Sequence, residues 1–289
     1  MKKVLLQLDT DEHASPFDAI VAHDADVDVL LSHADVKPED VRGLVQDAFF
    51  TRGMDDLKTM AVWVGGKRVS DGEELFAQVQ KAFFGPFRVS VMLDSNGCNT
   101  TAATTIARIA KARDLKGDRA VVIGLGAVGL RSAVLLAKEG CEVTLAALSP
   151  DLFGDDRPYR RPHGVEVAEG LGFEVHEPGD RGELEGLLDG AQIVLSSGPS
   201  GVQVLRRDFW ARHDTIELLA DYNAADPLGI EGTKATDDMV DYDGKLVLGA
   251  LAIGGPKMKV HKACVRRLFE SNDQVLDVDA VYAIAKELV

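Results

Sequence analysis

Cysteine is sparse in this sequence. Cys98, Cys141 and Cys264 stand far apart in 289 residues. An odd number at that spacing makes neither a disulfide framework nor a Cys-x-x-Cys metal site, and it fits reduced thiols. Long apolar runs are missing too: none approaches the ~20 residues of a membrane span. Behind Lys2 and Lys3, the run from Val4 to Leu8 meets Asp9 and Asp11 almost at once. It is too short for a signal peptide and predicts a first β-strand. Positive charge is in deficit, with 32 Lys+Arg against 47 Asp+Glu and a net charge of -15. Such a field repels phosphate backbones and argues against nucleic acid as the main partner. The 28 glycines show no period of three, which excludes a collagen-like chain. The seven histidines are scattered, none in an HExxH spacing, and no metal site is predicted.

What is present is an ordinary globular mixture, 46% hydrophobic and 27% charged. The length suits one large or two medium domains. Short apolar runs alternate with helical spacings. Strands are predicted at Val4–Leu8, Val27–Leu31, Thr59–Val64 and Val89–Leu93. Ser15-Pro16 and Pro38-Glu39 read as helix starts, and Asp71–Phe84 repeats apolar residues at helical intervals. A helix over Asn99–Arg113 then leads to a second series of strands near Ala120–Ile123, Val143–Leu148, Glu174–Val175, Ile193–Ser196, Ile216–Ala220 and Leu246–Leu248. His261–Leu288 reads as helical. Alternating strands and helices predict an α/β fold around mostly parallel sheets.

The sharpest motif is Gly124-Leu125-Gly126-Ala127-Val128-Gly129. AVVI precedes it, LRSAVLLAKEG follows with helical spacing, and CEVTLAAL comes next. The first glycine permits a tight turn, the second lets backbone approach a pyrophosphate, and the third lets helix and strand pack closely. This predicts a Rossmann-type dinucleotide site. After the second strand, Leu148-Ser149-Pro150 carries neither the acid that holds the NAD ribose nor the base that holds the 2′-phosphate of NADP. NAD and NADP both stay open. Arg157, Arg160 and Arg161 follow, either as phosphate ligands or as a solvated basic patch.

Three further stretches are unusual. Asp94-Ser95-Asn96-Gly97-Cys98-Asn99-Thr100-Thr101 is a polar, small-residue run at a strand's carboxyl end, where α/β sheets place ligands. It reads either as a ligand site or as a loop with Asn99 or Thr100 capping the next helix. Asp221-Tyr222-Asn223 also follows a strand. Gly249 to Lys257 is glycine-rich, with Gly254-Gly255-Pro256 read as a rigid turn before the lysine.

FFGPFRVS at 83–90, DSNGCNTTAA at 94–103, ADYNAADPLGI at 220–230 and GALAIGGPKMKVHKAC at 249–264 occur in that order. With the LLQLDTD start and the terminal AKEL, they resemble methylene-tetrahydromethanopterin dehydrogenase of methylotrophic bacteria over nearly the whole chain. The form resembled most also accepts methylene-tetrahydrofolate. The resemblance implies an N-terminal α/β catalytic domain (1–100), a Rossmann-type NAD(P)-binding domain (101–260) and C-terminal helices (261–289) returning to the first domain, with the pterin in the cleft between the two domains. It implies a cytoplasmic homo-oligomer, a trimer. Carried over by position, Lys257 matches the family lysine of the active-site cleft, and Asp18 and Thr101 match residues that line the pterin side; Lys257 and Asp18 are taken as the catalytic pair. Asp94, Asn96, Asn99 and Thr100, from the polar run read above, join Thr101 on the substrate side. The cofactor side comprises Gly124, Gly126, Ala127, Val128 and Gly129, with Ser149, Ser197, Gly198 and Asn223 after neighbouring strands. Leu148-Ser149 departs from the basic pair of the NADP-specific form.

The chemistry implied is hydride loss from a methylene carbon held between two nitrogens, giving a methenyl cation that both nitrogens stabilise. Positioning two rings and excluding water is then the protein's main task, and no titrating group is called for. The alternatives are another two-domain nicotinamide dehydrogenase of the shikimate type, with a Lys and an Asp working on an alcohol, and a non-catalytic NAD(P) sensor.

Overall fold

The computed structural model describes residues 1–149, 152 and 163–289. The chain divides into two compact units, Met1–Thr100 with Lys257–Leu288, and Thr101–Pro256 with Val289.

The first unit is built on β1 (Val4–Asp9), β2 (Val29–His33), β3 (Met60–Gly65), β4 (Ser90–Leu93) and β12 (Val275–Leu276), in the spatial order β12-β4-β3-β1-β2. Every pairing is parallel. β1, β3 and β4 are buried along their whole length, and they read as continuous apolar runs because helices cover both faces of a parallel sheet. The helices are α1 (Pro16–Asp24), α2 (Pro38–Phe49), α3 (Val69–Ala82) and α10 (Val278–Leu288). β2 lies at an edge, half exposed, and begins two residues later than the apolar run from Val27 suggests.

The second unit has the order β10-β11-β9-β8-β5-β6-β7. Its strands are β5 (Arg119–Ile123), β6 (Glu142–Ala146), β7 (Val175–His176), β8 (Ile193–Ser196), β9 (Leu218–Asp221), β10 (Asp238–Tyr242) and β11 (Lys245–Leu248). All pair in parallel except β10 with β11. The helices are α5 (Ala127–Lys138), α6 (His163–Gly170), α7 (Arg181–Gly186) and α8 (Arg207–Trp210). The unit boundaries fall inside α4 (Cys98–Ala112) and α9 (Ala250–Arg267).

Three local readings are corrected. Gly254-Gly255-Pro256 is no turn: it lies inside α9. Pro256 has no N–H for the carbonyl of Ala252, and Arg108 Nη1 donates to that oxygen at 3.1 Å instead, so the helix continues past its proline. His261–Leu288 is not one helical stretch. The chain leaves α9 and Ser271–Gln274 ties to β4, where the Ser90 hydroxyl donates to the Ser271 carbonyl and accepts from the Gln274 amide; β12 follows before α10. Lastly, β10 has no counterpart among the predicted strands. Its pattern is mostly exposed, and the signal passed over is Asp243-Gly244, both at positive φ in a tight hairpin.

Candidate functional site

In the first unit, the carboxyl ends of β1, β3 and β4 open on a cleft of about 460 Å³. Phe17, Asp18, Lys67, Asn96, Gly97 and Lys257 are among its lining residues. Local chemistry explains each placement. Asp9 ends β1 fully buried, and its carboxylate accepts the amides of Asp11 and Ser15 at 2.9 Å each, folding the loop back. Ser15 then caps α1, its hydroxyl accepting the Asp18 amide at 3.2 Å, with Pro16 in the first turn. Asp18 thus projects from that first turn. Gly65 lets β3 pass close by: a Cβ there would sit 3.1 Å from Asp18 Oδ2 and 3.6 Å from Asp9 Oδ2.

After β4, Asn96 and Gly97 both take positive φ, 53° and 63°. The left-handed asparagine is costly, and the surroundings must hold it. Asp94 does so from behind: its carboxylate accepts the Thr100 amide at 3.0 Å and the Thr100 hydroxyl at 2.6 Å. Asn99 Nδ2 donates to the Leu93 carbonyl at 2.7 Å. A Cβ on Gly97 would lie 2.8 Å from Lys257 Nζ, so the loop and the ammonium are closely apposed. The same Nζ stands 4.8 Å from the centroid of the half-exposed Phe17 ring, a cation–π distance.

Electrostatics single out Asp18. Burial first, then Asp94 and Asp9, push its carboxyl up to about 7, while Lys257 and the Ser15 hydroxyl pull it down. A carboxyl that changes charge near neutrality, beside a lysine and an open aromatic face, can bind a flat heterocycle with a hydrogen-bond donor edge. Of the residues assigned to the substrate and catalytic sides, Asp18, Asn96 and Lys257 meet around this cleft. Asp94, Asn99 and Thr100 pack behind its wall. Thr101 belongs to the other unit, where its carbonyl accepts the Thr105 hydroxyl at 2.9 Å. Phe17 and His261 carried no functional reading in the sequence, although Phe17 sits beside Asp18 in SPFD and His261 lies one helical turn from Lys257.

In the second unit, the three glycines differ in what a side chain would meet. Gly124 has φ 95°, and a Cβ there would strike the backbone of Ser197. On Gly129 it would strike the Gly124 carbonyl. On Gly126, the N-cap of α5, it would meet open space. That is the geometry of a turn whose middle glycine faces a ligand at a helix N-terminus, so these residues fit a dinucleotide pyrophosphate. Ala127 and Val128 supply the first turn of α5, and the Val128 carbonyl accepts the Ser132 hydroxyl at 2.8 Å. Ser197 and Gly198 follow β8 beside the turn, with the Ser197 amide donating to Ile123 at 2.7 Å. Asn223 shapes the loop after β9: its Oδ1 accepts the amides of Gly201 and Ala225, and its Nδ2 donates to the Pro227 carbonyl. Ser149 lies three residues past β6. Arg157, Arg160 and Arg161 lie outside the described residues. Among the described residues no helix is long and apolar enough to cross a membrane, and no cluster of His, Cys, Asp or Glu is placed to hold a metal ion.

A parallel sheet with an open glycine turn, in a chain that carries a second α/β unit with a charged cleft, defines a nicotinamide-dependent dehydrogenase of the two-unit α/β class. Known proteins agree. Residues 16–96 match the family described as methylene-tetrahydromethanopterin dehydrogenase, N-terminal. The chain is 42% identical over 290 residues to the bifunctional protein MdtA of Methylorubrum extorquens, covering 99% of both chains. It is 30% identical over 305 residues to the NAD(P)-dependent methylenetetrahydromethanopterin dehydrogenase of the same organism, again covering 99% of both. Among solved structures, a chorismate mutase/shikimate 5-dehydrogenase fusion protein from Clostridium acetobutylicum superposes with a TM-score of 0.51 at 10% identity, covering 99% of this chain and 98% of that one, a likeness of fold alone. The chain belongs to the methylene-tetrahydromethanopterin dehydrogenase family.

Proposed function

We propose that this protein oxidises methylene-tetrahydromethanopterin to the methenyl form by hydride transfer to NAD(P)+ in one-carbon metabolism. The observation that carries this is the end-to-end match to a relative of that name, with no unit of the chain left over. The C–H bond of the methylene carbon breaks, both electrons leave with the hydrogen, and the positive charge stays on the carbon between the two nitrogens. NAD(P)+ supplies the hydride acceptor. No proton transfer is required by the balance.

The chain's own groups then bind and orient. The ionised Asp18 carboxylate accepts two hydrogen bonds from the amino–amide edge of the pterin. The Phe17 ring offers a stacking face, and Lys257 and Asn96 hydrogen-bond ring acceptors. A cation against the reacting carbon would oppose the developing charge, so Lys257 serves positioning rather than proton transfer. Asp9, Asp94 and ionised Asp18 give the cleft a negative field that favours a cationic product. Gly124, Gly126 and Gly129, with the amides of α5, hold the pyrophosphate, and Ser149, Ser197, Gly198 and Asn223 shape the rest of the dinucleotide site. A cytoplasmic homo-oligomer, a trimer, completes this reading, and light scattering on the purified protein tests the assembly. Initial rates with methylene-tetrahydromethanopterin and methylene-tetrahydrofolate, each with NAD+ and NADP+, test the activity and the choice of carrier and cofactor together.

A further inference from the structure

His261 is fully buried on α9, and neither ring nitrogen has a hydrogen-bond partner among the described residues. Its ring stands edge-on to Trp63 of β3, centroids 4.8 Å apart, and tilted against Phe17 of α1 at 6.1 Å. Its Nε2 is 3.5 Å from Asp94 Oδ2, a contact that is ionic only if the ring is protonated and that is not aligned as a hydrogen bond. One turn earlier on the same helix, Lys257 reaches over Phe17. An apolar side chain would fill this place without the cost of burying two polar nitrogens. The imidazole therefore answers to something other than packing: its neighbours Phe17 and Lys257 line the cleft, and Asp94 anchors the turn of Asn96 and Gly97 that lines it too.

We infer that His261 is a positioning residue: a neutral buried imidazole that fixes the Phe17 face and holds the Asp94 carboxylate in a dry wall, so that Asp94 acts on Asp18 at full strength. The consequence for binding rests on the pterin reading above; the electrostatic consequence does not. The titratable groups facing His261 are Asp94, from the segment after β4, and Lys257, on its own helix. Burial pushes the imidazole down to about 4, against the pull of Asp94. At neutral pH it therefore adds no second cation beside Lys257, and among the described residues the Asp94 carboxylate takes its hydrogen bonds from Thr100. Asp18 is faced by Asp94, Asp9 and Lys257, and the two carboxylates raise it. Replacing His261 by a smaller side chain admits water beside Asp94, screens that charge and lets Asp18 ionise at lower pH.

The test begins on the ligand-free protein. Imidazole nitrogen NMR should show His261 neutral from about pH 5 to 8, with its proton on Nε2 facing Asp94. A charged ring at about pH 6 would overturn the inference without any variant. Carboxyl-carbon NMR should then show the Asp18 midpoint lowered by about half a unit or more in His261→Asn. His261→Phe keeps the ring's bulk against Trp63 and Phe17 but takes away the Nε2–H that faces Asp94, so it should melt near wild type yet fail to restore the wild-type midpoint. In turnover assays the rise of kcat/KM with pH should move to lower pH in both variants, in step with the Asp18 midpoint, while NAD(P) affinity stays unchanged. A wild-type Asp18 midpoint in folded His261→Asn, or full rescue by His261→Phe, makes the histidine a filler and sinks the inference. If the wild-type protein turns over neither carrier, the proposed activity fails, while the two NMR titrations still decide the role of His261.

Discussion

Asp18 gathers the electrostatics of the cleft into one carboxyl. Its value in the folded chain, about 7, lies above the ordinary 3.8, so the native state holds this proton longer than the unfolded chain does. Stability on this account is fullest below the unfolded value and is lost as pH rises toward the folded one. Asp18→Asn should therefore raise Tm at about pH 8 and lose that advantage near about pH 4. Activity runs the other way. Wild-type kcat/KM should climb with pH through about 7, as the carboxylate that holds the pterin edge forms. The Asn variant should fall by about tenfold to a hundredfold with no such climb. A flat wild-type profile would remove Asp18 from the binding edge. The sequence reading called for no titrating group, because neither the burial of Asp18 nor its nearness to Asp9 and Asp94 is visible in a linear string. Lys257→Ala should lower kcat/KM about tenfold or more, ~1.4 kcal/mol of transition-state stabilisation, with NAD(P) affinity intact. It should also move the Asp18 limb upward, since the lysine is the charge that pulls it down. Full activity in that variant would leave Lys257 as a surface cation.

At the scale of the element, the glycine turn was the most legible part of the chain. Strand, turn and helix follow in one short segment, and each glycine has its own steric reason. The structure sharpens the consequence. Gly126→Val should abolish NAD(P) binding by calorimetry and leave Tm nearly unchanged, because its side chain enters open space. Gly129→Ala, by contrast, should destabilise the fold, because its Cβ would meet the backbone carbonyl of Gly124. Equal loss of stability in both would mean that Gly126 is packed rather than open. Elements held by distant partners were less legible. α9 runs through two glycines and a proline because Arg108, far away in sequence, takes the carbonyl that Pro256 leaves without a donor. β10 was missed because an exposed edge strand has little apolar pattern to read.

For the whole molecule, parallel α/β architecture was legible from alternation alone, since buried strands and amphipathic helices carry different periods. Strand order was not, because each sheet threads strands out of sequence order. The meeting of Asp18, Asn96 and Lys257 around one cleft is of the same kind, as it depends on where three strands end. Cofactor choice is also set beyond any single motif. With Leu148-Ser149 after β6, Ser149→Arg should improve NADP+ relative to NAD+ by roughly 1–3 kcal/mol, read from the ratio of kcat/KM values. An unchanged ratio would place the discriminating residues elsewhere. The central claim is the oxidation itself, and the most direct measurement is the initial rate of the purified protein with methylene-tetrahydromethanopterin and each nicotinamide cofactor, following reduced nicotinamide and methenyl product together. The account predicts that both appear in equal amounts with at least one cofactor, faster above about pH 7 than below it. Folded protein that binds NAD(P) in calorimetry yet forms neither product at any pH would contradict it.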